Sequence, residues 1–224
     1  MRRAMTYILP PNLSVCDAGG QRVFLDVAAD RYFALSPAID ATFRRLVDAA
    51  EPEPGDAGRL EGLVARGILC SAPGDARPGY CKAPRTPRSD RDSFPDSEPR
   101  RLMTLAAVAM LGRTIVDLRV RSLERVLASV TKAKRHTVAT AVTGCAARHA
   151  VAFSHVDRLV SSLDRCLPRS IALARAMIAD GIVPDLVLGV KLRPFEAHCW
   201  IQHDDLLVSD HLGAIAPFTP ILVL

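Results

Sequence analysis

The chain has 224 residues, 49% apolar and 24% charged, a composition typical of a globular protein that excludes wholesale disorder. Its formal net charge is +5, and its longest apolar run, residues 102–112, is far shorter than the roughly 18 residues that a membrane span needs. The first ten residues hold two arginines but no apolar core with a cleavage site. We therefore expect a cytoplasmic protein without a secretory signal or a membrane span.

Positive charge is concentrated in one stretch of the second half of the chain. Seven basic and two acidic residues lie between Arg113 and Arg135. Such a stretch suits an acidic or nucleic-acid partner, but its basic residues alternate with apolar ones, which is typical of the solvated face of an amphipathic helix. We expect a helix here and no nucleic-acid partner.

The six cysteines show no Cys-x-x-Cys spacing. In a chain of this length with no sign of secretion, most such cysteines are small buried apolar residues rather than disulfide partners or zinc ligands. We therefore expect no metal and no cofactor, with one reactive cysteine among the six.

A proline-rich segment divides the chain. Residues 71–100 contain six prolines, charges of both signs and almost nothing apolar, so they predict a linker without a core of its own. The linker separates a small N-terminal domain, residues 1–70, from a larger C-terminal domain, residues 101–224.

The N-terminal domain is predicted to place strands before helices. Its elements are expected in the order strand 22–27, strand 30–35, helix 37–50 and helix 57–66. Ser36 and Pro37 are a favourable N-cap and first helical residue, and Gly67 is a favourable helix end. This order predicts a winged-helix-like α+β module.

The C-terminal domain is predicted to have helices followed by an antiparallel sheet. Apolar periodicity predicts helices and then strands at 101–111, 113–130, 136–163, 185–190, 195–202 and 206–210. A further helix must begin at or beside Cys166, because Pro168 is tolerated only in a first turn, and it ends at Gly181. This arrangement also makes an α+β domain.

Cys166 is the predicted nucleophile of the C-terminal domain. At a helix start, the helix dipole and the free backbone N–H groups favour the thiolate, and Arg165 and Arg169 add positive charge. A cysteine nucleophile needs a base. His198 lies in a later β run, as the base does in cysteine hydrolases that combine a helix with a sheet.

Asp210 is the predicted partner of His198. A three-residue loop over 203–205 would place Asp210 opposite His198 on the same face of two paired strands. A two-residue turn would put it on the other face. Asp204 and Asp205 are poorer candidates, since they lie at the turn. A carboxylate beside the imidazole would fix its tautomer and stabilise its cation.

Three stretches carry a resemblance to a known family, the B protein of lasso-peptide biosynthesis. They read Cys-Leu-x-Arg-Ser-x-Ala-Leu at 166–173, Gly-Val at 189–190 and Phe-x-Ala-His-x-Trp at 195–200. The resemblance implies a transglutaminase-like, papain-like cysteine protease fold over about 101–224. Cys199 departs from the family, which more often has alanine between the histidine and the tryptophan.

The same resemblance implies an activity and its partners. The family removes the leader from a ribosomally made precursor peptide, so that an asparagine-synthetase-like cyclase can close the macrolactam. Cys166 would then attack the scissile carbonyl, His198 would transfer the proton, and Asp210 would orient His198. Backbone N–H groups at the helix start, including that of Cys166, would stabilise the oxyanion.

The N-terminal domain resembles the precursor-recognition element of peptide-modifying enzymes, which is similar to the small peptide chaperone of pyrroloquinoline quinone biosynthesis. The similar stretches are Val-x-Leu-Asp at 23–26, Arg-Tyr-Phe-Ala-Leu at 31–35 and Ala-Arg-Gly-Ile-Leu at 65–69. Such elements bind the leader as an added β-strand against a helix. On this sequence the groove would be walled by Tyr32, Phe33, Ala34, Leu60, Leu63 and Val64, unless Leu60 and Leu63 fill the core of the small domain.

Other classes of protein stay open at this point. One is a non-catalytic peptide carrier or a winged-helix DNA-binding regulator, and another is a different acyl-transfer cysteine enzyme such as a protein cross-linker. Residues 1–70 carry eight basic and nine acidic side chains. This near-neutral balance argues against DNA, because phosphate binding needs a basic surface.

Overall fold

The chain divides into two compact units. The computed structural model describes residues 5–90, 101–139, 145–159 and 166–224. Unit 1 is Met1–Cys81 and unit 2 is Lys82–Leu224. Their boundary lies inside the 71–100 segment for which the sequence predicts a linker, and the part of that segment over 91–100 lies outside the described residues.

Unit 1 is built from two small antiparallel sheets and two helices. Its elements are β1 (Met5–Ile8), β2 (Leu13–Ala18), β3 (Gln21–Asp26), β4 (Arg31–Ala34), α1 (Pro37–Asp48), α2 (Asp56–Ala65) and β5 (Cys70–Pro73). Strands β2, β3 and β4 form one sheet in that order, with β4 at the edge, and β1 pairs with β5. In the core, Phe24 stacks on Phe33 and meets Phe43 edge-on, with ring centroids 5.1 Å apart in both pairs.

The predicted helix ends in unit 1 are confirmed. Ser36 is the N-cap with extended dihedrals, Pro37 is the first helical residue, and Gly67 adopts φ 69° just after α2. Strands β1 and β2 do not appear in the sequence prediction. β1 is a four-residue strand that pairs with β5, more than 60 residues later. The local pattern of apolar residues does not reveal a pairing at that distance.

Each described part of the proline-rich segment is hydrogen-bonded within the unit to which it belongs. In unit 1 its first residues form β5, and Cys81 N donates to Val15 O at 2.7 Å. In unit 2, Leu207 N donates to Ser89 O at 2.8 Å. Backbone groups therefore anchor a segment that has almost no apolar side chains to bury.

Unit 2 packs helices against a four-stranded antiparallel sheet of order β8-β7-β6-β9. Its elements are α3 (Arg101–Val120), α4 (Leu123–His136), α5 (Cys145–Leu159), α6 (Cys166–Ala179), β6 (Asp185–Lys191), β7 (Glu196–His203), β8 (Leu206–Leu207), α7 (Leu212–Ile215) and β9 (Thr219–Val223). Helix α6 contacts α3, α4, α5, β6 and β7, and its residues 170–174 are buried. This central position fixes where the first turn of α6 lies beside β7.

The predicted break between the first two helices of unit 2 is wrong. Helix α3 continues through Gly112 to Val120, because a helix-interior glycine costs only about 1 kcal/mol and Gly112 faces open space. The break falls at Ser122, whose hydroxyl accepts a hydrogen bond from Arg125 N and caps α4.

The basic stretch is helical, but it lies on two helices and not on the single helix predicted over 113–130: Arg113 lies on α3, whereas Arg125 and Arg135 lie on α4. Helix α4 buries Leu123, Val126, Leu127 and Val130, whereas Arg125 and other basic residues are exposed. The predicted helix over 136–163 corresponds in part to α5, and its stretches 140–144 and 160–163 lie outside the described residues. Within the described ranges, no helix is both long enough and apolar enough to cross a membrane.

Candidate active site

Cys166 is the first residue of α6, and its side chain is partly buried. Pro168 lies in the first turn, where proline removes no helical hydrogen bond. The free backbone N–H groups and the positive end of the helix dipole are therefore close to the thiol. This local arrangement favours a thiolate.

His198 lies on β7, opposite Gly189 of β6. Its ring packs against Trp200, with centroids 6.1 Å apart, and against Phe218, with centroids 5.3 Å apart. A Cβ atom on Gly189 would come within 2.6 Å of the indole of Trp200. Glycine at this position therefore lets Trp200 pack onto the strand and support the imidazole.

Asp210 lies in the segment after β8 and contacts His198. His198 Nε2 donates to Asp210 Oδ1 at 3.2 Å, and Ser209 Oγ donates to Asp210 Oδ2 at 2.6 Å. The guanidinium of Arg169 is 4.0 Å from the same Oδ2 atom. The structure thus brings Cys166, His198 and Asp210 together from a helix start, a strand and a connecting segment.

The turn that precedes Asp210 is shorter than predicted. His203 pairs with Leu206, so β7 and β8 are joined by two residues, Asp204 and Asp205, and the predicted three-residue loop is wrong. Both turn residues are exposed. With regular pairing, a two-residue turn would direct Asp210 to the opposite face of the sheet.

A β-bulge after β8 corrects the face on which Asp210 lies. Val208 N and Ser209 N both approach Ile201 O, at 2.9 and 3.4 Å, and Ile201 N donates to Ser209 Oγ at 2.9 Å. Two residues therefore lie opposite one residue of β7. This shifts by one position the alternation of side chains between the two faces of the sheet. This shift allows Asp210 to reach His198.

The environment of Cys166 stabilises its thiolate. Burial raises the pKa of the thiol, but a hydrogen bond with His198 and the charge of that residue outweigh burial and hold the pKa below its ordinary value. The backbone N–H groups of Cys199 and Leu167 act in the same direction. Because His198 Nε2 bonds Asp210, the ring nitrogen left for Cys166 is Nδ1.

His198 is held as a cation at neutral pH. Its hydrogen bonds to Asp210 and then to Cys166 raise the pKa of the imidazole to about 9, against the effect of burial. Burial raises the pKa of Asp210, yet the hydrogen bonds from His198 and Ser209 leave it below the ordinary value. These interactions favour the charged form of each group: thiolate for Cys166, imidazolium for His198 and carboxylate for Asp210.

Two other cysteines have environments that suppress reactivity. Burial raises the pKa of Cys16 to about 12 and raises that of Cys199 well above the ordinary value. Both side chains are almost fully buried. In the part of the chain that the structure describes, no group of three or more His, Cys, Asp or Glu side chains could hold a metal ion.

Sequence reasoning missed Ser170 and the hydrogen bond that Arg169 makes beside the triad. Arg169, expected to add positive charge beside the thiol, donates through Nη2 to Ser209 O at 2.9 Å. Ser170 Oγ donates to Cys199 O at 2.8 Å. The available signal was the spacing Cys-x-x-Arg-Ser, which puts all three side chains on one helix face. Arg165 lies outside the described residues.

In unit 1, the candidate leader-binding residues of β4 lie on the edge strand of the three-stranded sheet. Phe33 faces the core and stacks on Phe24. Tyr32 is partly buried and Ala34 is exposed. The edge position is the one at which an incoming peptide strand could pair.

The candidate residues of α2 differ in exposure. Leu63 is fully buried in the core, whereas Leu60 and Val64 are partly buried and pack against it. Leu60 also lines a cavity of about 500 Å³, together with residues of α1 and β1 such as Leu46 and Tyr7. Leu60 and Val64 therefore retain surface for a ligand, and Leu63 supports them from the core.

A family model described as the transglutaminase-like superfamily matches residues 105–223, more than half of the chain and the span that contains Cys166, His198 and Asp210. No curated protein and no solved structure gives a significant match. Members of this superfamily generally carry a Cys-His-Asp triad with cysteine protease or transferase activity. The site in unit 2 is consistent with either activity. On the strength of this match, the chain belongs to the transglutaminase-like superfamily.

Proposed function

We propose that the protein is a cysteine peptidase that removes the leader of a ribosomally made precursor peptide during lasso-peptide maturation. The observation that carries the enzyme class is the hydrogen-bonded array of Cys166, His198 and Asp210. The lasso assignment is supported by the stretches at 166–173 and 195–200, which resemble the B proteins of that pathway.

In the acylation step, the Cys166 thiolate attacks the scissile carbonyl carbon, and the carbonyl electron pair moves onto oxygen. Backbone N–H groups at the start of α6, including that of Cys166, stabilise this oxyanion. His198 then gives its Nδ1 proton to the amine nitrogen, and the C–N bond breaks. The core peptide leaves with a free amine, while the leader remains attached as a thioester.

In the deacylation step, neutral His198 takes a proton from water as the water oxygen attacks the thioester carbon. The C–S bond breaks, the leader leaves as a carboxylic acid that gives its proton to solvent, and the thiolate and imidazolium are restored. Asp210 keeps the imidazole oriented through Nε2 in both steps. No cofactor is required by this sequence of steps.

Unit 1 is proposed to be a winged-helix-like recognition module that binds the leader. An incoming strand pairs with β4 and packs against α2, with contacts to the predicted groove residues Tyr32, Phe33, Ala34, Leu60, Leu63 and Val64. Binding in unit 1 raises the effective concentration of the scissile bond at Cys166. We place the reaction in the cytoplasm, where an asparagine-synthetase-like cyclase uses the freed amine to close the macrolactam.

The test of the peptidase is mass spectrometry of a leader-bearing precursor incubated with the full chain. We expect two fragments whose masses sum to that of the precursor plus one water. A free core together with a leader fragment joined to an added amine in place of water would identify an acyl transferase, the second candidate, because an amine can replace water in attack on the same thioester. An unchanged precursor would identify a peptide carrier.

The recognition role has a separate test, fluorescence polarisation with a labelled leader peptide. In the full chain, Tyr32→Ala and Leu60→Ala should each weaken binding by about tenfold, since a lost apolar contact of this size costs about 1.4 kcal/mol. Ser71→Ala, on the exposed strand β5, is the matched control and should leave binding unchanged. Full affinity in a fragment that contains only residues 82–224 would refute the role of unit 1.

A further inference from the structure

Two residues of the first turns of α6 face the same way as the nucleophile. Arg169 and Ser170 follow Cys166 by three and four positions, the spacing that places side chains on one face of a helix. Neither has been given a role in the steps above. Each makes a hydrogen bond to the strand or segment that carries another member of the triad.

Ser170 connects α6 to the strand that carries His198. Its hydroxyl donates to Cys199 O at 2.8 Å, and both residues are buried. The N–H of the same Cys199 donates to the sulfur of Cys166. On β7, strand β8 pairs with residues 202 and 203 and does not reach Cys199. The backbone groups of Cys199 therefore bond residues in the first turns of α6 instead of a neighbouring strand.

Arg169 connects α6 to the segment that carries Asp210. Its Nη2 donates to Ser209 O at 2.9 Å, and its Nη1 lies 4.0 Å from Asp210 Oδ2. Ser209 is itself fixed, because its hydroxyl donates to Asp210 Oδ2 and accepts a hydrogen bond from Ile201 N. The planar guanidinium makes these contacts through two different nitrogens held in a fixed geometry, which the single nitrogen of a lysine ammonium does not reproduce.

We infer that Arg169 and Ser170 are positioning residues that set His198 and Asp210 against the nucleophile, one for each triad-bearing strand or segment. The inference rests on the proposed triad and extends it to two residues that touch neither the substrate nor the reacting atoms. Both hydrogen bonds are accepted by backbone carbonyl oxygens, so they hold the backbone of the triad-bearing segments in position and do not bind a charged side-chain group.

The test is the pH dependence of Cys166 alkylation by iodoacetamide, followed by peptide mass spectrometry, with the exposed Cys70 as an internal reference. In Arg169→Gln, Asp210 is held less firmly and stabilises the imidazolium less well. The pH midpoint of Cys166 alkylation should therefore rise by about one unit, which is a tenfold loss of thiolate at a pH below the midpoint. Ser170→Ala should raise it by a smaller amount. Precursor cleavage should show a lower kcat with an unchanged KM.

Arg175→Gln is the matched control on the same helix. Arg175 bonds Thr114, Asp117 and Ser129 among the helices, so its loss should lower the melting temperature without moving the alkylation midpoint. An equal midpoint shift in Arg175→Gln would overturn the inference, because it would show general loosening of α6. Circular dichroism of each variant confirms that the fold is retained.

Arg169→Lys separates positioning from charge. A lysine keeps the positive charge but lacks the planar set of N–H donors of the guanidinium, so we expect the alkylation midpoint to stay raised. Restoration of the wild-type midpoint by lysine would overturn the positioning role. The assay contains no precursor, so a shifted midpoint in a protein that cleaves no precursor would refute the peptidase and leave the positioning role standing.

Discussion

Helix α6 has a histidine–aspartate pair near each end. Near its start, His198 Nε2 donates to Asp210 Oδ1 at 3.2 Å; just beyond its end, His149 Nε2 donates to Asp180 Oδ2 at 2.9 Å. Both hydrogen bonds join the Nε2 atom of the ring to a carboxylate oxygen, and their lengths are similar. What separates the pairs is the surroundings of the carboxylate and of the second ring nitrogen.

The two imidazoles respond in opposite ways. Hydrogen bonds to Asp210 and to the thiol raise the pKa of His198 to about 9. Burial lowers the pKa of His149 despite the attraction of Asp180, and the nearby Arg148 lowers it further. The side chain of Asp180 is 59% exposed, against 16% for Asp210, so solvent weakens its hold on the imidazole. A carboxylate partner alone therefore does not make a catalytic histidine.

Loss of the thiol should have the largest effect. We expect Cys166→Ala to reduce precursor cleavage by several orders of magnitude, because the variant lacks the attacking atom. Its stability should fall by about 0.5–2 kcal/mol at most, the range for a lost helix cap. The His198 pKa, measured by NMR titration, should also fall, since the thiol is its second support.

The control for the nucleophile is Cys70→Ala. Cys70 is exposed on β5 in the other unit, so its removal should leave cleavage unchanged. Wild-type cleavage by Cys166→Ala would show that the mechanism is wrong.

Loss of either histidine should separate the two pairs directly. His198→Ala should reduce kcat by about 10⁴-fold or more, since it removes the general acid and base. His149→Ala should leave kcat unchanged and lower the free energy of unfolding by about 1–3 kcal/mol, through loss of a buried hydrogen bond and of packing. Steady-state kinetics and urea unfolding of both variants measure these effects, and equal losses of activity would contradict the distinction.

The acids should follow with smaller effects. Asp210→Asn should cost about 10²-fold in kcat, because the carboxylate orients the base and does not react. It also removes the first support of the raised pKa of His198, so the alkaline limb of the pH–rate profile should move to lower pH. Asp180→Asn, the matched change at the other pair, should change neither kcat nor the pH of the alkaline limb. If cleavage required Asp204 or Asp205 instead, Asp210 would not be the acid that orients His198.

Local signals account for the elements that could be predicted. Pro168 restricts where α6 begins, and Ser36-Pro37 marks the start of α1, because both effects act within one turn. The face on which Asp210 lies has no such signal. It depends on the bulge at Val208 and Ser209, which is held by a hydrogen bond from Ile201 N to a hydroxyl eight residues later.

Long-range contacts account for most of what was missed. Strand β9 pairs with β6 across some 30 residues, so its short apolar run carries no local sign of a partner. Phe218, which packs on His198, lies just before that strand and was missed with it. Arg169 was recognised as a positive charge beside Cys166, but its bond to Ser209 O depends on the bulge.

The smallest expected effect is on the pH dependence of stability, where the two histidines should act in opposite directions. The folded-state pKa of His149 lies below its unfolded value of about 6.5. As the pH falls below that value, the unfolded chain takes up a proton that the folded chain refuses, so the free energy of unfolding decreases. The stability that His149 contributes is thus complete above about pH 6.5 and is lost on the acid side.

His198 has the reverse sign, because its folded-state pKa of about 9 lies above the unfolded value. Its contribution is complete below the unfolded value and is lost as the pH rises through about 9, since the unfolded chain has already released the proton that the folded chain retains. Urea unfolding across this pH range should show His149→Gln flattening only the acid side of the stability profile and His198→Gln only the alkaline side. If both variants flattened the same side, the two pairs would share one protonation behaviour, and the contrast between a structural and a catalytic histidine would fail.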